Sequence, residues 1–398
     1  MLEDAFIAIG AIILIGFMGR YAYRKTRIPE SIVMIGIGLL LGPILHLVSQ
    51  SALIPFVPFL SILALVLVLL DAGLELNVFK LFKEFPSALL FTFTVAILST
   101  ILIGSTVHLV FGWEPVSAFL LGLIASGTTT VAAMTLLDMM KVRGGLKSFI
   151  FLETVINDFI LVSGTGLILL LSMDSVMDGR GIAAEVASGI SIALFLGLAS
   201  GYLWIRLLGK MEDIKLNYIS SIGILFLLFG LTEAVGGNGI ISVLSFSLFM
   251  GNYPNIHKRF DEKVKRIEID SEELLIKDIR LMHSNISFAV RIFFFVLIGL
   301  VFDFGNLTVQ TVGIAVIAIL LILISRYASL KVLSFCGKKY EKNSFLVVTM
   351  IPRGFVATVL AFIPLSQGVS VPLLTEVVLL LVLLSNVVAI VSAMYSEK

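Results

Sequence analysis

FLETVINDFILV, residues 151–162, lies in the middle of a long apolar run and still carries Glu153, Thr154, Asn157 and Asp158. On a helix, at about 100° per residue, Glu153 and Asn157 share one stripe and Thr154 and Asp158 share the next. The four polar groups therefore project into about a third of the circumference, two carboxylates among them. In water such a face is ordinary; in an apolar medium it is costly and calls for a reason.

The surroundings are apolar. Of 398 residues, 59% are hydrophobic and 14% charged, Phe alone contributes 30, and the mean hydropathy is +1.10. Ordinary soluble domains do not have that composition. A hydrocarbon core of roughly 30 Å takes about 20 apolar residues per helix. Such runs follow one another at about 5–22, 30–48, 53–74, 86–111, 115–139, 148–173, 181–208, 217–235, 238–252, 286–304, 308–335, 343–366 and 372–395. The pattern predicts an all-α polytopic membrane protein with about 13 transmembrane helices.

Lys and Arg set the orientation. Of 28 such residues, all but Arg180, Arg291 and Arg353 go with the joins that follow odd-numbered runs. The excess of basic residues on the cytoplasmic side then places the N-terminus outside and the C-terminus in the cytoplasm, with the cell membrane as the location. The same alternation checks the number of runs, because one missed or invented helix would scramble the sides from that point on. The runs divide roughly as six, one and six. They predict a single transporter domain with a first repeat at about 1–173, a linker helix at about 181–208 and an inverted second repeat at about 217–398. No soluble C-terminal domain is expected after the last run.

A net charge of +1, with no basic patch interleaved with aromatics, sets nucleic acid aside. Cys336, the one cysteine, has neither a disulfide partner nor a CxxC neighbour and reads as a small buried residue. Glu3 and Asp4 stand where a secretory signal would be basic, so the first run is expected to stay in the protein. From His257 to His283 the chain is charged, with Phe260, Val264 and Ile267 at helical spacing. It reads as a cytoplasmic surface helix whose bland role is a solvated connector. His46, His108, His257 and His283 fall near run ends or in joins, which gives little support to pH sensing.

Most intramembrane ionisable groups have the excuse of a helix end. Glu233 precedes VGGNG, Glu376 lies in the first turn after Pro372, and Asp303 and Glu75 are near an interface. Asp71, inside LVLVLLDAGLEL, is deeper and reads equally as structural or functional. Glu153, Asp158, Arg291 and Arg353 remain. Asp158 and Thr154 offer the oxygen ligands that a hard cation such as Na+ prefers. A helix-packing hydrogen-bond cluster is the alternative, and two carboxylates in one such cluster count against it. Unwound backbone would complete a site. GLIASGTTTVAAMT in the fifth run and VVTMIPRGFVATV in the twelfth both hold Gly or Pro at their middle, at equivalent places in the two repeats.

These residues resemble a family, the monovalent cation/proton antiporters, which include the sodium/proton exchangers. ETVIND, residues 153–158, is similar to the family's E-S-x-x-N-D on the ion-binding helix. SFAVRIFFFVLIG, residues 287–299, supplies Arg291 where the family pairs an arginine with that glutamate. IPRGFVATVLA, residues 351–361, is similar to the P-R-G segment of the second of two crossed, partly unwound helices, and Ser325 with Arg326 resembles an A-R pair near the cytoplasmic end. The resemblance implies inverted six-helix repeats and a homodimer in the lipid bilayer. It also implies an antiporter rather than an enzyme, with no cofactor beyond the transported cation. Asp158 would bind proton or metal ion, helped by the neutral ligands Thr154, Thr128 and Thr129 and supported by Asn157, Glu153, Arg291 and Arg353. In the branch with Asn-Asp, exchange of Na+ or Li+ for H+ is electroneutral.

Two stretches depart from the family. Where the sodium/proton branch has T-D-P-V-A, this chain has TTTVA, residues 128–132. LLDAGLELNVFK, residues 69–80, looks more like the potassium-efflux branch, whose L-A-G-L-E-L lacks Asp71, so K+/H+ exchange is the alternative. On either reading proton and cation compete for one carboxylate. The loaded site is neutral and crosses, whereas the empty one is a bare charge and is held back. A Glu153–Arg291 ion pair would stay out of that exchange. Asp158→Asn is expected to abolish exchange and Asn157→Asp to leave folding largely intact. A cation channel would need a continuous polar lining, which a midplane cluster does not supply. An intramembrane protease would need Asp71 to act with Asp158 and has no G-x-G-D around either, and a receptor leaves the matched interruptions unexplained.

Overall fold

Inside a bilayer every backbone donor and acceptor must be satisfied within the protein, which restricts spanning segments to helices or closed barrels. The computed structural model describes residues 10, 30–47, 53, 56–75, 84–142, 144–172, 179–209, 214–260, 266–335, 337, 340–366 and 368–396. Among them there is no strand. In chain order the helices are α1 Glu30–Leu39, continued by a π-helical turn Leu40–Ile44; α2 Val57–Glu75; α3 Phe85–Phe111; α4 Pro115–Ala125; α5 Thr130–Met139; α6 Gly145–Ser172; α7 Gly179–Leu208; and α8 Ile214–Ala234. They continue with α9 Gly239–Phe260, α10 Arg266–Val301, α11 Val309–Phe335, α12 Ser344–Thr349, α13 Phe355–Leu360, α14 Ile363–Ser366 and α15 Leu374–Ser396.

Among the described residues, 8 helical stretches are long and apolar enough to cross a membrane, and Ser31–Ile44, Phe59–Leu74 and Phe355–Leu365 are shorter apolar helices. Every apolar run from 30–48 onward coincides with a helix or a broken helix, while the run at 5–22, apart from Gly10, lies outside the described residues, as does Cys336. The segment 257–283 differs from its sequence reading. Its described part from Arg266 does not form a separate surface helix but is the first half of the 36-residue α10. Ile276, Ile279 and His283 share one face of α10 and are buried, so apolar packing extends the span beyond the limit that charge density suggests.

The chain divides into two compact units. The first comprises Met1–Ile62, Lys83–Met173 and Ile292–Lys398, the second Leu63–Phe82 and Asp174–Arg291. Within the first, α1 and α10 meet backbone to backbone, since a methyl group at Gly38 would lie 2.2 Å from the Val296 carbonyl oxygen and one at Gly299 2.4 Å from that of Ile35. Small residues allow such approach in lipid, where dispersion contacts rather than water expulsion hold helices together.

Within the second unit, polar side chains tie α10 to its neighbours. His283, in α10 rather than a join, is fully buried, with Nε2 2.7 Å from the Leu67 carbonyl oxygen and Nδ1 3.0 Å from the Tyr218 hydroxyl. A carbonyl can only accept, so Nε2 carries the proton and Nδ1 accepts from Tyr218. Glu233 serves a helix end there, its carboxylate accepting from the Gly239 N–H, and in the first unit the Asp303 carboxylate accepts from the Gly305 N–H in the same way. Glu376 accepts from the Asn306 amide at 2.8 Å.

Candidate functional site

Two helices break inside the first unit, each for a legible reason. After α4 the chain turns through Ser126 and Gly127 and becomes extended at Thr129 (φ −103°, ψ 132°) before α5 begins. A run of three threonines, stiff at Cβ, favours that extended link. After α12, Pro352 has no N–H to offer a helix and biases Ile351 away from helical geometry. The chain resumes as α13 only after Gly354.

The breaks touch. The Thr129 N–H donates to the Pro352 carbonyl at 2.8 Å. A methyl group at Gly354 would lie 2.8 Å from the Thr129 Cβ, so glycine is what lets the two backbones meet. Backbone groups released by the breaks find side-chain partners, as burial requires. Asn157 bridges the first break, accepting from Thr128 N–H at 3.3 Å and donating to the Ser126 carbonyl at 3.3 Å. Arg353 donates through Nε to Ala125 and through Nη1 to Ile351, both at 2.7 Å. From α15, Ser385 accepts from the Arg353 N–H at 3.0 Å and Asn386 donates to its carbonyl at 2.7 Å.

Glu153 and Arg326 are both 0% exposed and form an ion pair, with Oε1 2.8 Å from Nη1 and Oε2 3.4 Å from Nη2. Arg326 also donates to the Val347 carbonyl through Nε (3.1 Å) and Nη2 (2.7 Å), and its guanidinium lies 5.1 Å from the Phe91 ring centre. Thr128 donates to Glu153 Oε1 at 3.1 Å. A buried pair holds only when its polar atoms find partners, and each nitrogen and oxygen of this pair has at least one. The sequence reading pairs Glu153 with Arg291, and the structure corrects it: Arg291 Nη1 lies 3.2 Å from Asp71 Oδ2 and 3.1 Å from Ser287 Oγ, with both ion-pair partners in the second unit. Charge sidedness groups Arg326 with the cytoplasmic-side basic residues, yet it lies within an apolar helix. An arginine embedded in LILISRYASL is the available signal.

The remaining site residues sit along α6 and α5. Thr154 Oγ1 donates to the Phe151 carbonyl at 2.8 Å, so its 2.8 Å contact with Thr130 Oγ1 has Thr130 as the donor. The sequence reading names Thr130 with Thr129 as residues that must satisfy the first break but does not count it among the ion ligands. Asp158, one turn beyond Thr154, is half-buried and makes no hydrogen bond or ion pair among the described residues. Asp158 is thus the carboxylate on this stripe of α6 that no protein partner occupies, and a carboxylate oxygen is an electron-pair donor that both a proton and a hard monovalent cation accept.

A family model described as "Sodium/hydrogen exchanger, transmembrane" matches residues 10–394. The chain belongs to the sodium/hydrogen exchanger family. As such it is a multi-pass membrane protein of a transporter family. This exchanger-family chain is 24% identical over 358 residues to the Na(+)/H(+) antiporter NhaG of Bacillus atrophaeus, covering 83% of itself and 65% of that protein. It is 25% identical over 263 residues to the K(+)/H(+) antiporter NhaP2 of Shewanella sp. (strain ANA-3), covering 63% of itself and 44% of that protein. The chain thus spans less than two thirds of the length of these relatives. Its fold matches the sodium proton antiporter MjNhaP1 of Methanocaldococcus jannaschii with a TM-score of 0.83 at 16% identity, over 98% of this chain and 100% of that one.

Proposed function

We propose that the chain is an electroneutral secondary antiporter that exchanges Na+ or Li+ for H+ across the cell membrane, with Asp158 as the group on which proton and cation alternate. One observation carries the reading. Glu153, Asn157, Thr128 and Thr154 are all committed to protein partners, whereas Asp158 is not. Burial opposes a bare carboxylate, so binding a proton or a monovalent cation relieves the same cost, and the two compete. Thr154, Thr128 and Thr129 are the neutral oxygen ligands. Asn157 holds the first break and carries no proton of its own to exchange, so one H+ trades for one cation and no net charge moves. Glu153 is taken up by its ion pair with Arg326 and has no part in the exchange. No cofactor is needed.

The one-sided distribution of basic side chains supports an N-terminus outside and a C-terminus in the cytoplasm. A homodimer in the bilayer, built on an inverted repeat about 1–173 and 217–398, completes the reading. K+ in place of Na+ is the second reading, favoured by the likeness to a protein named a K(+)/H(+) antiporter. Proton flux in reconstituted vesicles tests both, with Na+, Li+ and K+ added in turn and the membrane potential clamped. Cation-driven proton flux that survives in Asp158→Asn vesicles would remove Asp158 from its role.

A further inference from the structure

We infer that Thr165 is a further oxygen ligand of the transported cation, met between Asp158 and the outer solution. The inference rests on the exchange reading above and on its orientation. Helix α6 runs unbroken from Gly145 to Ser172. At about 100° per residue, Thr165 stands between Thr154 and Asp158 in angle, within about 20° of each, and about 10 Å past Asp158 along the axis. The residues in between are Phe159, Ile160, Leu161, Val162, Ser163 and Gly164, of which Ser163 lies half a turn around the helix. Thr165 therefore carries the next side-chain oxygen on the stripe.

That oxygen is kept free. Thr165 is 1% exposed, and its Oγ1 has no hydrogen-bond partner among the described residues. Other buried helix threonines satisfy themselves: Thr92, Thr232 and Thr358 each donate to the carbonyl four residues back at 2.7 Å. The Leu161 carbonyl offers Thr165 the same bond, and it is not made. A buried hydroxyl without a partner is costly, and valine would have nearly the same shape without that cost. A partner that comes and goes explains a hydroxyl at this point. Ser99 and Ser163 also lack partners, but Ser99 is on α3 and Ser163 on the opposite face of α6, away from the stripe of Asp158.

Between Asp158 and Thr165 the stripe is closed by Leu161. Its side chain is 0% exposed, and Cδ1 lies 2.6 Å from where a Gly127 Cβ would be, so it is seated in the notch that glycine leaves in the first break. The Ala357 Cβ of α13 lies 3.4 Å from the same point, which brings the second broken helix to the notch as well. Asp158 and Thr165 are thus two oxygen stations on either side of an apolar side chain braced at the breaks. A rearrangement of the breaks that withdraws Leu161 joins them. A hard cation gives up water only for other oxygens, and a neutral hydroxyl supplies one without adding charge, so exchange stays one for one.

The test compares Thr165→Val, Thr165→Ser and Ser163→Ala with the wild type in vesicles reconstituted with the full chain, with Na+ or K+ driving proton flux. In Thr165→Val the maximal flux should fall about tenfold, as one oxygen contact is lost from the step between Asp158 and solution, while thermal unfolding stays at or above the wild-type temperature. Thr165→Ser should keep most of the flux and Ser163→Ala all of it. In a Cys336→Ser background, Thr165→Cys in intact cells should react with a charged, membrane-impermeant methanethiosulfonate added outside. Undiminished flux in Thr165→Val overturns the inference and leaves the exchange reading standing. So does an equal loss in Thr165→Ser or Ser163→Ala, or a Thr165→Cys thiol that does not react. Wild-type flux that persists in Asp158→Asn overturns the exchange reading and this inference with it.

Discussion

Asp158 and Asn157 are neighbours in sequence with opposite situations. The amide is fully buried and gives both ends to the first break, accepting from Thr128 and donating to Ser126. Changing it to Asp removes the donor and turns a carboxylate oxygen toward the Ser126 carbonyl. The sequence-based expectation that Asn157→Asp leaves folding largely intact therefore gives way to a definite cost. Thermal unfolding in detergent should show a loss of about 1–3 kcal/mol, the cost of a buried polar group left without its partner. Asp158→Asn has no such bond to lose and should unfold like the wild type while losing cation-driven proton flux. The Glu153 partner is tested in the same way. Arg326→Met should cost roughly 3–5 kcal/mol because it strands a buried carboxylate. A double-mutant cycle should show coupling of Glu153→Gln to Arg326→Gln and none to Arg291→Gln. Coupling to Arg291 in that cycle would reverse the pairing.

The breaks are properties of elements, and their positions can be read from Ser126-Gly127 and Pro352-Arg353-Gly354. Their mutual contact cannot, because it depends on where two helices remote in sequence come to lie. It yields a steric prediction. Gly354→Ala places a methyl group against the Thr129 Cβ and should abolish transport, and Thr129→Gly in the same chain should restore part of it. No rescue would mean that the contact is not what glycine serves there. A second set of contacts steadies the same elements from the start of α6. Tyr340 donates to Glu84 and stacks on Phe149, with ring centres 4.4 Å apart, and Phe149 lies 5.4 Å from Phe91, the ring beneath Arg326. Burial, then the hydrogen bond to the Glu84 carboxylate, raises the Tyr340 phenol above its ordinary range, so it remains a donor at any physiological pH. His283 shows the limit of pattern reading within an element. Its charged neighbours in sequence suggest water, but its ring is held by Leu67 and Tyr218.

At the scale of the molecule, large apolar side chains lie exposed along α7 and α8, including Phe195, Leu203, Ile219 and Leu227. In water this would be a liability; on helices long and apolar enough to cross a bilayer such a surface suits an apolar medium. The orientation has its own test. In a Cys336→Ser background, Lys258→Cys, exposed at the end of α9, should react with a membrane-impermeant thiol reagent only after the cytoplasmic face is opened. Labelling of intact cells would turn the topology over.

Helical fold, family and the polar stripe 153–158 were determined by the sequence itself. Apolar periodicity and the ban on unsatisfied backbone in lipid are local rules that act along one chain segment at a time. Which arginine answers Glu153, what closes the two breaks and why Asp158 is left without a partner were decided only by the tertiary structure. Each depends on a distance between residues remote in sequence, as with Arg326 against Glu153 or Arg353 against Ala125. In a medium of low dielectric such distances fix which charges cancel and which remain to bind an ion.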